Sequence, residues 1–164
     1  MANETVQGLS VRVQIKGKVI GPDGSSLDVL IDREYSFTDG SGNNQIEQVF
    51  LDESRPLNAT NEDLDVYGTL TDFKGATLGM SKIRVAYFEN LDEDSGDLLT
   101  VKQPAANGVP NLFTAASDGT KIQPGGLFLY IAPGADAPTV TAATGDLINA
   151  AKADNGTFKM LLAG

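Results

Sequence analysis

Residues 9 to 37 constrain the fold more than any other part of the chain. Leu9, Val11, Val13, Ile15 and Val19 occupy odd positions, while Ser10, Arg12, Gln14, Lys16 and Lys18 occupy even ones. A repeat of two over eleven residues is a strand with one wet face, and no helix accommodates it. Gly21-Pro22-Asp23-Gly24 then supplies turn residues, and Leu27, Val29, Ile31, Tyr35 and Phe37 resume the alternation. The sequence therefore predicts a long N-terminal hairpin. Arg33 interrupts its odd apolar row; a charge leaning inward on a strand is a known guard against edge-to-edge pairing, and a ligand contact would look the same.

The rest of the chain continues in shorter elements. Ile46 to Leu51 reads as a strand, Asp52 to Asp63 as a polar loop holding Pro56, and Leu64, Val66, Gly68 and Leu70 as a further strand. Ile83, Val85 and Tyr87 alternate with Arg84, Ala86 and Phe88, so both faces are apolar and the strand belongs in the middle of a sheet. Asn90 to Asp97 is an acidic turn, followed by the strand Leu98 to Val101. Residues 104 to 119 form a loop anchored by Leu112 and Phe113. Asp118-Gly119 and Pro124-Gly125-Gly126 reverse the chain around Thr120–Gln123 and into a buried strand, Leu127 to Ile131. Thr144 is able to cap a short helix over Asp146 to Lys152, but the hairpin-like flanks and short window favour a strand in 143–153. Phe158 to Leu162 closes the core. The resulting expectation is an all-β chain: one antiparallel β-sandwich, jelly-roll-like, over residues 1–164, with at most one short helix. Residues 1–8, polar and without periodicity, are expected to be a flexible N-terminal arm that orders on a neighbour and is the segment most tied to assembly.

Composition narrows the function classes. The chain has 164 residues, enough for one self-sufficient core. It has no Cys, His or Trp. Thiol nucleophiles, thiolate zinc sites and the commonest general base are thereby excluded, so an enzyme is not expected. The net charge of −10 opposes nucleic-acid binding and an anionic membrane as partner. No apolar run approaches the ~20 residues of a spanning helix, and the N-terminus lacks the basic start and apolar core of a secretory signal. The expected product is soluble and made in the cytoplasm.

No motif nominates a site. Asn90 to Asp97 superficially resembles a calcium loop, but the sixth position is Ser95 where Gly is required, and the twelfth is Val101 where an acid is required. Asp23, Asp39, Asp118 and Asn155 each precede Gly as ordinary turn pairs. No catalytic, cofactor-binding or metal-ligating residue is assigned, and no cofactor is expected. The aromatic residues fall in strand registers, which favours core packing over a sugar-stacking platform.

Leu70 to Asn90 contains an aromatic-Gly turn (Phe73 to Gly75) and a strand ending in an aromatic plus Asn (Ile83 to Asn90). Ser95-Gly96, Leu99 to Val101, Ile122 to Pro133, Thr139 to Leu147 and the closing apolar strand follow. This pattern, over roughly Thr69 to Gly164, resembles virion structural proteins of tailed bacteriophages, in particular capsid decoration (cement) proteins. The resemblance implies a β-sandwich or jelly-roll-like subunit on the outside of the head shell, homo-oligomeric and preferably trimeric, with the major capsid protein as partner. It carries over no site residues. A tail or neck protein of the virion and a carbohydrate- or receptor-binding module are the alternatives.

Overall fold

The computed structural model describes residues 6–58, 60–72, 74–94 and 96–164. No helix occurs among the described residues, and residues 143–153 hold a strand. The alternating N-terminal segments form β1 (Leu9–Ile20) and β2 (Ser26–Asp39), paired antiparallel in unbroken register from Leu9·Phe37 to Ile20·Ser26. At roughly 3.3 Å per residue this ribbon is about 40 Å long. Its turn is held by Gly21 donating to the Ser25 carbonyl at 2.8 Å, by the positive φ of Gly24 (82°), and by Asp23, which accepts from the Ser25 amide and hydroxyl. A two-residue strand, β3 (Gln45–Ile46), adds in parallel to the end of β2.

Among the described residues, eight further strands make the body: β4 (Val49–Asn58), β5 (Asn61–Asp65), β6 (Val85–Asn90), β7 (Leu99–Lys102), β8 (Gly119–Ile122), β9 (Leu127–Ile131), β10 (Leu147–Ala151) and β11 (Asn155–Ala163). Two four-stranded antiparallel sheets result, ordered β4-β11-β6-β9 and β5-β10-β7-β8. The pairs β4·β11, β5·β10, β6·β9 and β7·β8 join first with eighth, second with seventh, third with sixth and fourth with fifth. That nesting is one long hairpin folded over and divided between two sheets: a jelly roll. The central position expected for the Ile83–Phe88 segment is what β6 occupies, and the closing strand β11 lies between β4 and β6.

One core fills the space between the sheets. Phe88, Phe158, Met160 and Leu162 from one sheet meet Leu64, Leu99, Val101 and Ile148 from the other. Phe88 and Phe158 stack with centroids 6.4 Å apart. The long 104–119 loop is pinned by buried Leu112 and by Phe113, which stacks on Phe128 at 6.0 Å. Phe113→Ala is expected to lower stability by about 2 kcal/mol, since the ring is half-buried and loses both area and its aromatic partner. The midpoint of urea unfolding measures it.

Three local expectations are corrected. Asp52 to Asp63 is not a loop: β4 continues to Asn58 and β5 begins at Asn61. A register irregularity opposite Phe158–Met160 inserts an extra residue into β4, so Phe50 and Leu57, seven apart, both reach the core and the alternation is lost in the sequence. Pro56 is tolerated because β4 is a sheet edge. Val66 to Leu70 is not a strand: β5 ends at Asp65, whose carbonyl accepts from the Leu70 amide and whose carboxylate accepts from the Tyr67 amide. The Leu127–Ile131 strand is not buried throughout: β9 is an edge strand, and Leu127 is exposed on its outer face. Of the expected N-terminal arm, residues 1–5 lie outside the described residues, as do Phe73 and Ser95 of the resemblance pattern. Val6 donates its amide to Asp39 and packs beside Phe37.

Candidate interaction surface

The two ends of β6 are fastened by buried polar groups. At its start, the Arg84 side chain is buried, and burial lowers its affinity for a proton. Nη1 donates to the Gly134 carbonyl and Nη2 to the Gly42 carbonyl, each at 2.7 Å; the Pro133 carbonyl also accepts, at 3.2 Å. One guanidinium therefore joins the loop after β9 to the turn after β2. At the far end, Asn90 donates to the carbonyls of Asp97 and Ile122, while its own oxygen accepts from Lys152 at 2.9 Å. Lys152, fully buried, also pairs with Asp92. The acidic turn that superficially resembles a calcium loop is thus tied down by an ammonium and backbone groups. Among the described residues, no three His, Cys, Asp or Glu side chains converge as metal ligands would.

The base of the hairpin lies on the outer face of the β4-β11-β6-β9 sheet. Leu9, Val11, Tyr35 and Phe37, all on the odd face of the ribbon, pack with Val85, Leu129, Ile131, Leu161 and Ala163. Arg33 stands opposite Val13, exposed, at the point where this packing ends. Beyond it the odd face carries Ile15, Val19, Leu27, Val29 and Ile31, of which all but Val29 are exposed. Cross-strand pairing puts Leu30 (65% exposed) and Ile20 (70%) on the opposite face, beside Lys16 and Ser26. The distal ribbon therefore has one apolar face, and two exposed aliphatic side chains among Lys16, Lys18, Ser26 and Asp28 on the other. The even face nearer the base is polar, with Arg12 forked on Asp32 at 2.5 and 2.8 Å and Ser10 donating to Glu34.

A cleft of about 580 Å³ opens where ribbon and sheet diverge. Leu9, Val11 and Val13 form one wall; Leu51, Tyr87, Leu127, Leu129 and Leu161 form the other. Leu51 and Leu127 are exposed there. Tyr87 sits in this wall with its hydroxyl donating to Glu89 at 2.5 Å, and desolvation together with that carboxylate pushes its phenol up to about 12. The raised value makes the neutral phenol the favoured folded form, so stability is expected to fall as pH rises from about 10 toward 12. Phenolate absorbance should lose its latest component, at about 12, in Tyr87→Phe.

The sequence nominated no catalytic, cofactor or metal residue, and the surface that stands out here is one of shape and apolarity. Alternation reveals that the hairpin has an apolar face, and Arg33, which breaks the row, stands where its cover stops. No family model matches the sequence, and neither a curated protein nor a solved structure matches the chain.

Proposed function

We propose that this chain is a structural protein of a tailed-bacteriophage virion, a decoration subunit that binds the outside of the head shell and stabilises it as a homo-oligomer, preferably a trimer. The observation that carries this reading is the ribbon of exposed aliphatic side chains projecting from a self-contained sandwich. A two-stranded ribbon is marginal alone in water, and contiguous exposed apolar surface of this kind marks an interaction site. The jelly roll is compatible with the role, being common to capsid and lectin domains, and supports it only as a fold-level analogy. The sequence pattern that resembles decoration proteins covers the sandwich from β6 to β11. In this reading the protein is made in the host cytoplasm, resides on the capsid surface, needs no cofactor and performs no catalysis.

Co-sedimentation with expanded head shells lacking the protein tests it. Saturable binding with raised thermal resistance of the shells is expected; failure to bind shells would overturn the head assignment, and rings or tubes in electron micrographs would move the protein to the tail or neck. One observation favours a carbohydrate-binding reading as the second choice. A polar pocket of about 250 Å³ is lined by Asn61, Asp63, Gln103 and Asn149, and the buried oxygens Asn149 Oδ1 and Gln103 Oε1 accept no hydrogen bond there. Saturable binding in a glycan screen, abolished by Asn149→Ala, would establish it.

A further inference from the structure

We infer that the distal half of the β1–β2 hairpin is an exchange arm that inserts into the ribbon–sheet cleft of a second copy of this chain. The inference deepens the assembly reading above by naming the partner and the two surfaces that meet. The tip exposes Val19, Leu27 and Ile31 on its apolar face, and Ile20 and Leu30 on the other face among Lys16, Lys18, Ser26 and Asp28. A ribbon lying on a single surface leaves Ile20 and Leu30 in water; a wedge between two walls covers them as well. The cleft supplies two apolar walls, one from the ribbon base and one from the outer sheet face. Arm and cleft are carried by the same chain, so every copy offers one of each.

The amounts agree. The exposed aliphatic side chains of the tip present several hundred Å² of apolar surface, the order of the roughly 800 Å² that each partner contributes to a standard interface. An arm-into-cleft contact joins two different patches, and such a contact closes into a ring when the rotation per copy permits. A ring of three needs no surface other than these two.

The absence of native cysteine makes the test direct. Val19→Cys and Leu127→Cys, both at exposed positions, are prepared as separate full-length chains distinguishable by mass, with Lys121→Cys on the other sheet as a collision control. Under mild oxidation the mixture of the first two is expected to give the mixed disulfide as its main product, several-fold above mixtures containing the control. Predominance of the Val19→Cys homodimer would replace insertion by a tip-to-tip bundle and overturn the inference; cross-linking no greater than the control would overturn it too. A second variant, Leu27→Asp with Ile31→Asp, changes only exposed side chains and is expected to give a folded monomer by circular dichroism and light scattering. A folded variant that keeps the oligomer contradicts the inference. Shell co-sedimentation separates the two claims. Shell binding without the mixed disulfide removes the arm and leaves the virion reading, with the tip then free to contact the shell. The mixed disulfide without shell binding does the reverse.

Discussion

Arg84→Met is expected to cost about 3 kcal/mol and to loosen the hairpin from the sandwich. The native guanidinium is buried, and backbone carbonyls take the place of water around it. Met fills a comparable volume without a donor, so the Gly42 and Gly134 carbonyls lose their shortest partner. Gly42 and Gly134 are exposed, and the Gly42 carbonyl keeps the Gln45 amide at 3.2 Å, so the cost is that of the charge-assisted bonds themselves, about 1.5–3 kcal/mol each, partly offset by removing a buried charge. The two loops joined by Arg84 are those that place the ribbon: Gly42 follows β2, and Gly134 follows β9 in the sheet beneath it. Amide exchange at Thr38 and Gly40, whose N–H groups bond to Asn44 and Ile46, should therefore accelerate more than exchange in β10. Arg84→Lys, with one compact ammonium in place of a fork, is expected to recover only part of the loss. A shift in the urea midpoint worth less than about 1 kcal/mol would show that the carbonyls find other donors.

The second large effect is expected at the opposite end of β6. Asp92→Ala leaves the fully buried Lys152 ammonium with the Asn90 oxygen, and an uncompensated buried charge costs about 3–5 kcal/mol. Lys152→Met should cost less, because Asp92 is partly exposed and still accepts from the Thr157 amide. The double variant should be more stable than Asp92→Ala alone, as expected when both charges leave together. The pair also sets an acid dependence. Desolvation pushes the Asp92 carboxyl up, but the hydrogen bond from Lys152, the Thr157 amide and the nearby positive charge outweigh it and hold the group below the ordinary carboxylate range. A carboxyl lowered in the folded state contributes stability that is fully present above its unfolded value, about 3.9, and is lost as pH falls through the folded one. Between about pH 4 and more acidic conditions the native chain should lose stability more steeply than the double variant.

The elements that showed themselves in the sequence are those in which one rule acts alone. β1 and β2 keep one phase throughout, broken in the apolar row only by Gly17 and Arg33, because neither contains a bulge, and β6 is apolar on both faces because sheets or ribbon cover both. β4 escaped recognition because an irregularity shifts its phase between Phe50 and Leu57, and because Pro56 reads as a breaker unless the strand is known to be an edge. Val66 has the two-residue spacing of a strand from Leu64, but the strand ends at Asp65 and Val66 begins the turn. The wholly apolar run Leu127–Ile131 reads as buried, but a run of this kind does not distinguish an edge strand from a central one. Arg84 and Lys152 are each flanked by apolar residues in strand-like segments, and that flanking is the signal for a buried cation. The partners were beyond reach, since backbone carbonyls leave no trace in a sequence and Asp92 is sixty positions away from Lys152. The surface proposed for assembly was half legible: alternation gives the apolar face, while its lack of cover depends on the length of the ribbon relative to the sheet beneath it.

Assembly is the claim on which the rest depends, and light scattering of the purified full-length chain across a dilution series tests it most directly. The expected result is a single species with the mass of three chains, persisting at micromolar concentration. A strict monomer at every concentration would contradict the account, because the exposed ribbon would then have no copy of the chain to cover it.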